Sequence, residues 1–344
     1  MKKNIILFLF LFLYKNIEAQ KFNQMPTIEA AKNLISSLSI EQKTKGMLAF
    51  NDPDRLEWSN LPLESVVRKG LKFNELSDSQ RQKVHALLRT ALSPQGYLKA
   101  LFIIQYDEAT HERLSAAKSP IAQRYGNQNY WITFFGEPSD KGIWGWQFEG
   151  HHLSLNFTHS PTGVTCTPMF TGINPALTPS GAYAGNYVMA DENELGKQLF
   201  TSLSVQMKQR ALIGTLPNDI DVLARTGKEP FFQKNMVQTL HQAESMTEGV
   251  AFSDMNVPQK EMVMKMIKSW VENLNPALAQ EKMKRIEALK EKIRFVWMGT
   301  NDVEQLHYYR LMASPFIIEF AHRDQGIYHF HTLWRDLEED FKGK

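Results

Sequence analysis

The sequence predicts an α+β fold, in which helices pack on a mostly antiparallel sheet within a single domain. Two blocks of apolar residues at helical spacing predict the helices, and each block is followed by runs of aromatic and β-branched residues that predict strands. We find no internal repeat, low-complexity tract or change of composition. One domain is therefore expected from residue 20 to residue 344.

The helices are predicted from apolar spacing and from start signals. Ser77 with Gln80, and Asp191 with Glu194, have the spacing of a capping box. Pro94 is a favoured first-turn proline. The polar end of that third helix, around Asp107, could reach a site, but a solvated helix face is the preferred interpretation. The six predicted helices begin near residues 27, 77, 94, 191, 258 and 276.

The strands are separated by Gly, Pro and Asp, which is typical of an antiparallel meander. The last two strands flank a short turn at 324–326 and are expected to form a hairpin. The irregular segment 171–188 is rich in Gly and Pro, and we expect it to cover a site. The predicted strands span residues 130–135, 142–158, 164–170, 294–298, 306–311, 315–322 and 328–334.

The first residues have the order of a secretory signal peptide: two lysines, an apolar run, and a small residue at Ala19. We expect cleavage after Ala19, a periplasmic or extracellular location, and no membrane attachment afterwards. The leader contains three lysines and one glutamate of the 39 basic and 37 acidic residues, so the mature chain is formally neutral. A neutral chain without a basic run does not suit nucleic acid. Cys166 is the only cysteine, so no internal disulfide can form.

The first candidate site is the stretch Trp144–Asn156, WGWQFEGHHLSLN, which we predict to be one strand. Side chains alternate between the faces of a strand, so His152 would share a face with Gly150, and His151 would share the other with Glu149. Whichever face of the strand is buried, it brings an imidazole into the interior. That is unfavourable unless the imidazole is paired or bound.

The second candidate site is the closing hairpin, which ends in GIYHFHTLWRD. His329 and His331 are two residues apart and therefore project from the same face of a strand. A three-residue turn would place Glu319 opposite His331 and Ala321 opposite His329, whereas a one-residue slip would place His322 beside His329. His307, on a neighbouring strand, is a further candidate.

These residues predict a metal site that joins the two stretches. The predicted ligands are His329 and His331 together with His151, His152 or both, and a histidine–carboxylate set suits zinc, iron or copper better than calcium or magnesium. Glu149 or Glu319 would act as general base. The alternative is that the histidines only form hydrogen bonds in a polar core.

Other residues are candidates for substrate binding. Arg310 and Arg335 could bind a carboxylate or a phosphate, although an Arg335–Asp336 contact is the simpler interpretation. The remaining predicted substrate-binding residues are Trp146, Asn156, Asn174 and Tyr308.

The motifs WGWQFEGHHLSLNF, TPMFTGINPA, FVWMG, HYYRL, PFIIEF and HFHTLWRDLEEDF together resemble the family known as domain of unknown function 3500 (DUF3500). The resemblance runs from about Ser77 to the end, and it implies a largely bacterial, often exported domain without an established activity. One departure is Tyr328, where the family pattern has Asn. Another is the end at Lys344, where similar proteins continue. The matching positions are Trp146, Glu149, Gly150, His151, His152, Asn156, Asn174, Pro175, Tyr308, Tyr309, Arg310, Glu319, His329, His331, Trp334, Arg335 and Asp336.

The expected function is that of an exported metal-dependent enzyme, hydrolytic or oxidative, acting on a small or polymeric extracellular substrate. Two other classes stay open: a secreted module that binds a metal or ligand without turnover, and a metal-free acid–base site. The sequence contains no GxSxG elbow, Walker loop or dinucleotide fingerprint, so those hydrolase, nucleotide and nicotinamide classes lack support.

Overall fold

A computed structural model describes residues 22–181, 183–214, 216, 220–224, 248–324 and 328–342. The predicted leader and most of the turn at 324–326 lie outside these residues. The first predicted helix is interrupted, because Ser39 begins a new capping box with Gln42. The helices of the described residues are α1 Met25–Ser36, α2 Ile40–Gly46, α3 Asp78–Ala91, α4 Pro94–Ala116, α5 Ala190–Ser202, α6 Val205–Ala211, α7 Val257–Val271 and α8 Pro276–Glu287. None of them is long and apolar enough to cross a membrane.

In the part of the chain that the structure describes, twelve strands form one sheet, which confirms the predicted α+β class in a single domain. The sheet order is β1-β3-β4-β5-β7-β12-β11-β10-β9-β8, with β2 paired to β3 and β6 paired to β5. Among the strand pairs of the described residues, β1–β3 alone is parallel. The strands are β1 Met47–Leu48, β2 Leu71–Lys72, β3 Tyr130–Phe135, β4 Trp144–Gly150, β5 Leu153–Ser160, β6 Gly163–Thr165, β7 Met169–Ile173, β8 Val250–Ala251, β9 Arg294–Gly299, β10 His307–Ala313, β11 Phe316–His322 and β12 Phe330–Asp336.

The two faces of the sheet are covered differently. The helix face carries large apolar side chains such as Phe148 and Tyr309, which belong to the main hydrophobic core. The opposite face, here called the loop face, packs against Trp58 and the segment 220–224 in a second, smaller core. Because strand side chains alternate, residues next to Phe148 and Tyr309 in sequence lie on the loop face. Both faces are therefore buried.

The order of elements occurs twice in the chain. In each half two helices precede a short strand, a 3-10 turn, a helix pair and a set of antiparallel strands. Phe134, Trp146 and Phe157 lie opposite one another on β3, β4 and β5. Their equivalents on β9, β10 and β11 are Trp297, Tyr309 and Phe320.

A local two-fold axis relates the halves. β7 and β12 meet at the middle of the sheet, where Met169 pairs with Trp334. On the helix side, Ser93 donates its amide to Asn273 (3.0 Å) and Asn275 donates its amide to Ala91 (2.8 Å). Ser93 is equivalent to Asn275, and Ala91 is equivalent to Asn273. A two-fold rotation therefore converts each of these hydrogen bonds into the other, as expected for a symmetric contact.

The expectation that the chain has no internal repeat is therefore wrong. Residues 71–80 (LKFNELSDSQ) correspond to residues 250–259 (VAFSDMNVPQ). Gln80 donates its side-chain amide to Ser37 O and Gln259 does so to Ser202 O, both at about the same distance (2.8 and 2.9 Å). Elsewhere the halves have kept the topology and the apolar pattern but few residue identities, so a search for repeated motifs does not find them.

Candidate metal centre

The stretch predicted as one strand is a hairpin. β4 ends at Gly150, β5 begins at Leu153, and these two residues pair, so His151 and His152 form a two-residue turn. Cross-strand partners share a face, which places Glu149 with Ser154 on the loop face. The predicted division of this stretch into two faces is therefore wrong beyond Gly150. His152 has φ 62°, a left-handed conformation that is uncommon for a non-glycine residue.

The register of the closing hairpin also differs from the prediction. His331 pairs with Ala321, and Glu319 pairs with Leu333. His329 precedes β12 and accepts the amide of Arg323 at its carbonyl (2.8 Å). The predicted pairs are wrong by two residues, and the last pair of the ladder is His322 with Phe330. A shift of two leaves the faces unchanged, so His331 and Glu319 still lie on the loop face.

Three imidazoles from the two hairpins converge. The Nε2 atom of His329 lies 3.1 Å from Nε2 of His152 and 3.0 Å from Nε2 of His331. One nitrogen from each of these three residues lies within 4.8 Å of the others. His331 is 2% exposed and His152 is 6% exposed. The expected convergence of the GHH and HFH motifs is thus present in the structure.

Carboxylates hold the outer nitrogens of two of these rings. Nδ1 of His331 lies 2.7 Å from Asp221 Oδ1, and Nδ1 of His329 contacts Asp324. A ring that donates from Nδ1 to a carboxylate presents a lone pair at Nε2. Two such lone pairs, 3.0 Å apart, repel each other unless a proton or a metal cation lies between them.

The spacing and the protonation of the rings suit a metal ion. Zinc–nitrogen bonds of about 2.0–2.1 Å in a tetrahedral site separate two ligand nitrogens by about 3.3 Å, close to the Nε2 distances here. Burial lowers the pKa of His331 to about 3, and it also holds the pKa of His152 well below the ordinary value. Neutral imidazole is the form that binds metals. The buried group His152, His329 and His331 can therefore hold a metal ion.

His151 is not part of this group. Its ring stacks on His152 with centroids 3.8 Å apart, and its Nδ1 lies 2.6 Å from Asp107 Oδ1. The polar end of α4 thus reaches the site, contrary to the preferred interpretation of a solvated helix face: Asp107 is 4% exposed. Tyr130 donates its hydroxyl to the carbonyl of His151 (2.8 Å).

Gly172 on β7 provides space for the imidazoles. A Cβ atom at this position would lie 2.9 Å from His331 Cδ2 and 3.1 Å from His152 Cδ2. Sequence reasoning missed Gly172, and it also missed Asp221, which lies within the weakly patterned stretch 215–256. The signal available for Asp221 was an acidic residue between apolar residues in the run Ile220–Val222.

The two predicted general bases lie on the loop face but outside the histidine group. Glu149 accepts the amide of Ser59 (3.0 Å) and lies 3.7 Å from Arg68 Nε. Glu319 accepts the amide of Ala224 (2.7 Å) and contacts the hydroxyl of Tyr308. Burial raises the pKa of the Glu319 carboxyl, although Arg310 opposes this.

The remaining candidates are dispersed. Arg335 binds Asp340 (2.6 Å) rather than Asp336, which pairs with Arg285. Arg310 lies 3.9 Å from Glu319. Asn156 bonds Gln147 (2.6 Å) and the carbonyl of Pro168, so the structure already occupies its amide.

Two candidates lie on the helix face, away from the group. Trp146 stacks on Phe157 with centroids 4.4 Å apart. His307 stacks on Trp297 with centroids 4.6 Å apart, and it is not among the three converging histidines.

Asn174 follows β7 at the start of the segment expected to cover the site. That segment packs beside the closing hairpin: Ala176 donates its amide to Tyr328 O (2.6 Å), and the rings of Tyr187 and Tyr328 are in contact.

Comparison with known families gives one match. The chain belongs to the family described as "Protein of unknown function (DUF3500)", which it matches over residues 20–343. Searches of curated proteins and of solved structures gave no match.

Proposed function

We propose that this member of the DUF3500 family is a metal-dependent enzyme that binds one divalent transition-metal ion through His152, His329 and His331. The observation that carries the proposal is the approach of three Nε2 atoms, two of them at 3.0 and 3.1 Å from the third. The carboxylates at Nδ1 of His329 and His331 add the outer-shell support that metal-binding histidines usually have.

The composition of the group favours a catalytic site of the zinc type. Three protein ligands with room for one more are typical of catalytic zinc, whereas structural zinc has four. Among the described residues no fourth histidine, cysteine or carboxylate joins the three. Three neutral ligands leave the charge of the ion uncompensated, and such an ion lowers the pKa of a bound water towards neutrality. A hydrolytic reaction is therefore our first choice, and an oxidative reaction at iron or copper is the second.

Proton transfer needs a further side chain. His151 stacks on His152 and is oriented by Asp107, which is the arrangement of a general base with its partner. Its side chain is 16% exposed, so it also faces solvent. The proposed setting is the periplasm or the extracellular space, since residues 1–19 have the order of a signal peptide. The proposed substrate is a small molecule or polymer found there.

A metal-binding protein without turnover is the second candidate. The deep burial of His152 and His331 favours it, because a buried ion is less accessible to a substrate. Metal content separates both candidates from a metal-free site, and turnover then separates the enzyme from the binder.

Metal analysis of protein purified without an affinity tag tests the proposal. We expect one equivalent of metal in the wild type, which is lost in His331→Ala and in His329→Ala. His307→Ala is the matched control, since His307 is equally buried but lies on the helix face. Zinc would support the hydrolytic class, and iron or copper the oxidative one. Metal-free wild type, or equal content in all variants, contradicts the proposal.

Turnover against ester, glycoside and phosphate substrates follows. His151→Asn should reduce turnover while the metal content stays at one equivalent. Full activity in His151→Asn would remove His151 from the mechanism, and no turnover of any substrate would favour the binding protein.

A further inference from the structure

Ser59, in the segment that covers the loop face, is held at both backbone polar groups. Its amide donates to Glu149 Oε2 (3.0 Å), and its carbonyl accepts from Arg68 Nη2 (2.8 Å). Arg68 Nη2 also donates to Leu61 O (2.6 Å). The side chains of Arg68 and Glu149 are 2% and 6% exposed. A buried acid and a buried arginine thus hold the backbone of residues 59–61.

Ala224 has the same arrangement in the second half of the chain. Its amide donates to Glu319 Oε2 (2.7 Å), and its carbonyl accepts from Arg335 Nη1 (2.9 Å). Glu319 is fully buried. We call each set a carboxylate–arginine clamp: clamp 1 is Glu149 with Arg68, and clamp 2 is Glu319 with Arg335.

Each clamped segment holds one histidine of the metal centre. Next to Ser59, the carbonyl of Asn60 accepts the amide of His152 (2.9 Å). Three residues before Ala224, Asp221 holds Nδ1 of His331 (2.7 Å). The link in the first half is through the backbone, and the link in the second half is through a side chain.

We infer that the two clamps are positioning devices for the metal centre, in which clamp 1 fixes the His152 turn through Asn60 and clamp 2 fixes His331 through Asp221. This inference rests on the proposed function. It also assigns Glu149, Glu319 and Arg335 a role other than acid–base catalysis or substrate binding. One carboxylate oxygen of each glutamate accepts a backbone amide, and one guanidinium nitrogen of Arg335 donates to a backbone carbonyl, so these atoms hold the chain in place.

The left-handed conformation of His152 explains why its turn needs support from neighbouring segments. A non-glycine residue such as His152, with φ 62°, is less stable in this conformation and persists where its surroundings hold it. His152 is held at both of its backbone polar groups, since Asn60 O accepts its amide and Gly172 donates an amide to its carbonyl (2.7 Å). Loss of either contact frees the ring that must meet His329 and His331.

Hydrogen exchange and metal titration test the clamps together. In Glu149→Ala we expect faster exchange of the amides at 151–153, and in Arg335→Ala faster exchange at 221–224. Zinc affinity should fall by about 10–100-fold in each, as for other outer-shell partners. Glu149→Gln keeps an oxygen that accepts the Ser59 amide, so its zinc affinity should fall less than that of Glu149→Ala.

Lys282→Met is the matched control. Lys282 pairs with Glu339 (2.5 Å) and is similarly buried, but it contacts neither clamped segment. It should leave exchange at 151–153 and at 221–224 and the zinc affinity as in the wild type. If Glu149→Ala is misfolded, Arg68→Lys replaces it: this variant keeps the charge but loses the fork of donors, and should show the same change to a smaller extent.

Two outcomes overturn the inference. One is wild-type exchange at both segments in Glu149→Ala and Arg335→Ala. The other is a Glu149→Gln protein that loses turnover while exchange and zinc affinity stay at wild-type values, because Glu149 would then be catalytic. A wild type that binds no metal contradicts the proposed function instead, and the exchange data still decide whether the clamps exist.

Discussion

The two halves of the molecule have the same frame around their central hairpins but different side chains on it. In the first half Gly172 donates its amide to the carbonyl of His152 (2.7 Å). At the equivalent position of the second half, Leu337 donates its amide to the carbonyl of Pro315 (3.0 Å). The turn that carries His151 and His152 in one half is Ser314–Pro315 in the other.

The strand beside the turn shows the same difference. Ala321 pairs with His331 in the second half, and the equivalent pair of the first half is Thr158 with Thr165. Position 329 corresponds in the same way to Gly163, which pairs with Ser160. The frame therefore forms without imidazoles at one end. This difference supports the proposed role of the three histidines at the other end.

The largest expected effect is on zinc affinity. It comes from filling the space beside the histidines at Gly172, the position that Leu337 occupies at the other end of the sheet. Gly172→Ala adds a Cβ atom 2.9 Å from His331 Cδ2 and 3.1 Å from His152 Cδ2. The backbone of Gly172 does not have the positive φ that only glycine favours, so the effect should be steric. We expect zinc affinity to fall by about 10–100-fold, comparable to the loss of an outer-shell partner, as measured by competition with a chelator.

Leu337→Ala is the matched change at the other end. It should leave zinc affinity unchanged and lower the free energy of unfolding by about 1–2 kcal/mol, less than for a fully buried leucine because Leu337 is half-buried. Equal zinc affinities in the two variants would show that Gly172 does not shape the metal centre.

Several features of the fold and of the candidate site could be predicted from the sequence. The α+β class, the capping box at Ser77 and the shared face of the closing hairpin follow from local patterns. The convergence of the two histidine motifs was expected because an imidazole on a buried strand needs a partner. Local sequence patterns were sufficient for contacts between residues close in the chain, and for contacts that follow from the alternation of side chains between the two faces of a strand.

What could not be predicted depends on contacts between distant residues. A pair of histidines is not a typical hairpin turn, and His152 has its left-handed conformation where Asn60 and Gly172 bond its backbone. The register of the closing hairpin depends on its turn length, which strand alternation does not specify. Asp221 meets His331 only through the fold, and no spacing in the sequence relates them.

The second expected effect is on acid stability, and it compares one buried histidine from each half. Burial lowers the pKa of His159 to about 3, and burial lowers the pKa of His307 to about 3 as well. In the unfolded chain both titrate near 6.5. As the pH falls from about 6.5 towards 3, the unfolded chain therefore binds protons that the folded chain does not, and the free energy of unfolding decreases.

Each of these histidines should contribute a slope of at most about 1.4 kcal/mol per pH unit in that range. His159→Phe and His307→Phe each remove one of these histidines but keep a ring against Trp144 or Trp297. Each variant should make the dependence of the free energy of unfolding on pH shallower, by a similar amount in either half. Urea unfolding at several pH values measures this. Slopes that stay as steep as in the wild type would mean that both histidines are protonated in the folded protein.

The smallest expected effect tests the equivalence of the halves themselves. Gln80 and Gln259 each complete a capping box, and each donates its side-chain amide to a carbonyl at the end of a helix, Ser37 O after α1 and Ser202 O at the last residue of α5. Gln80→Ala and Gln259→Ala should each cost about 1 kcal/mol, the usual value for a cap or a neutral hydrogen bond. The double variant should cost the sum, since the sites share no partner. If one variant costs several times more than the other, the two hydrogen bonds have diverged in energy although their geometry has not. The two-fold relation would then describe the backbone but not the distribution of stability, and the half with the larger cost would be the one whose helices depend on this contact.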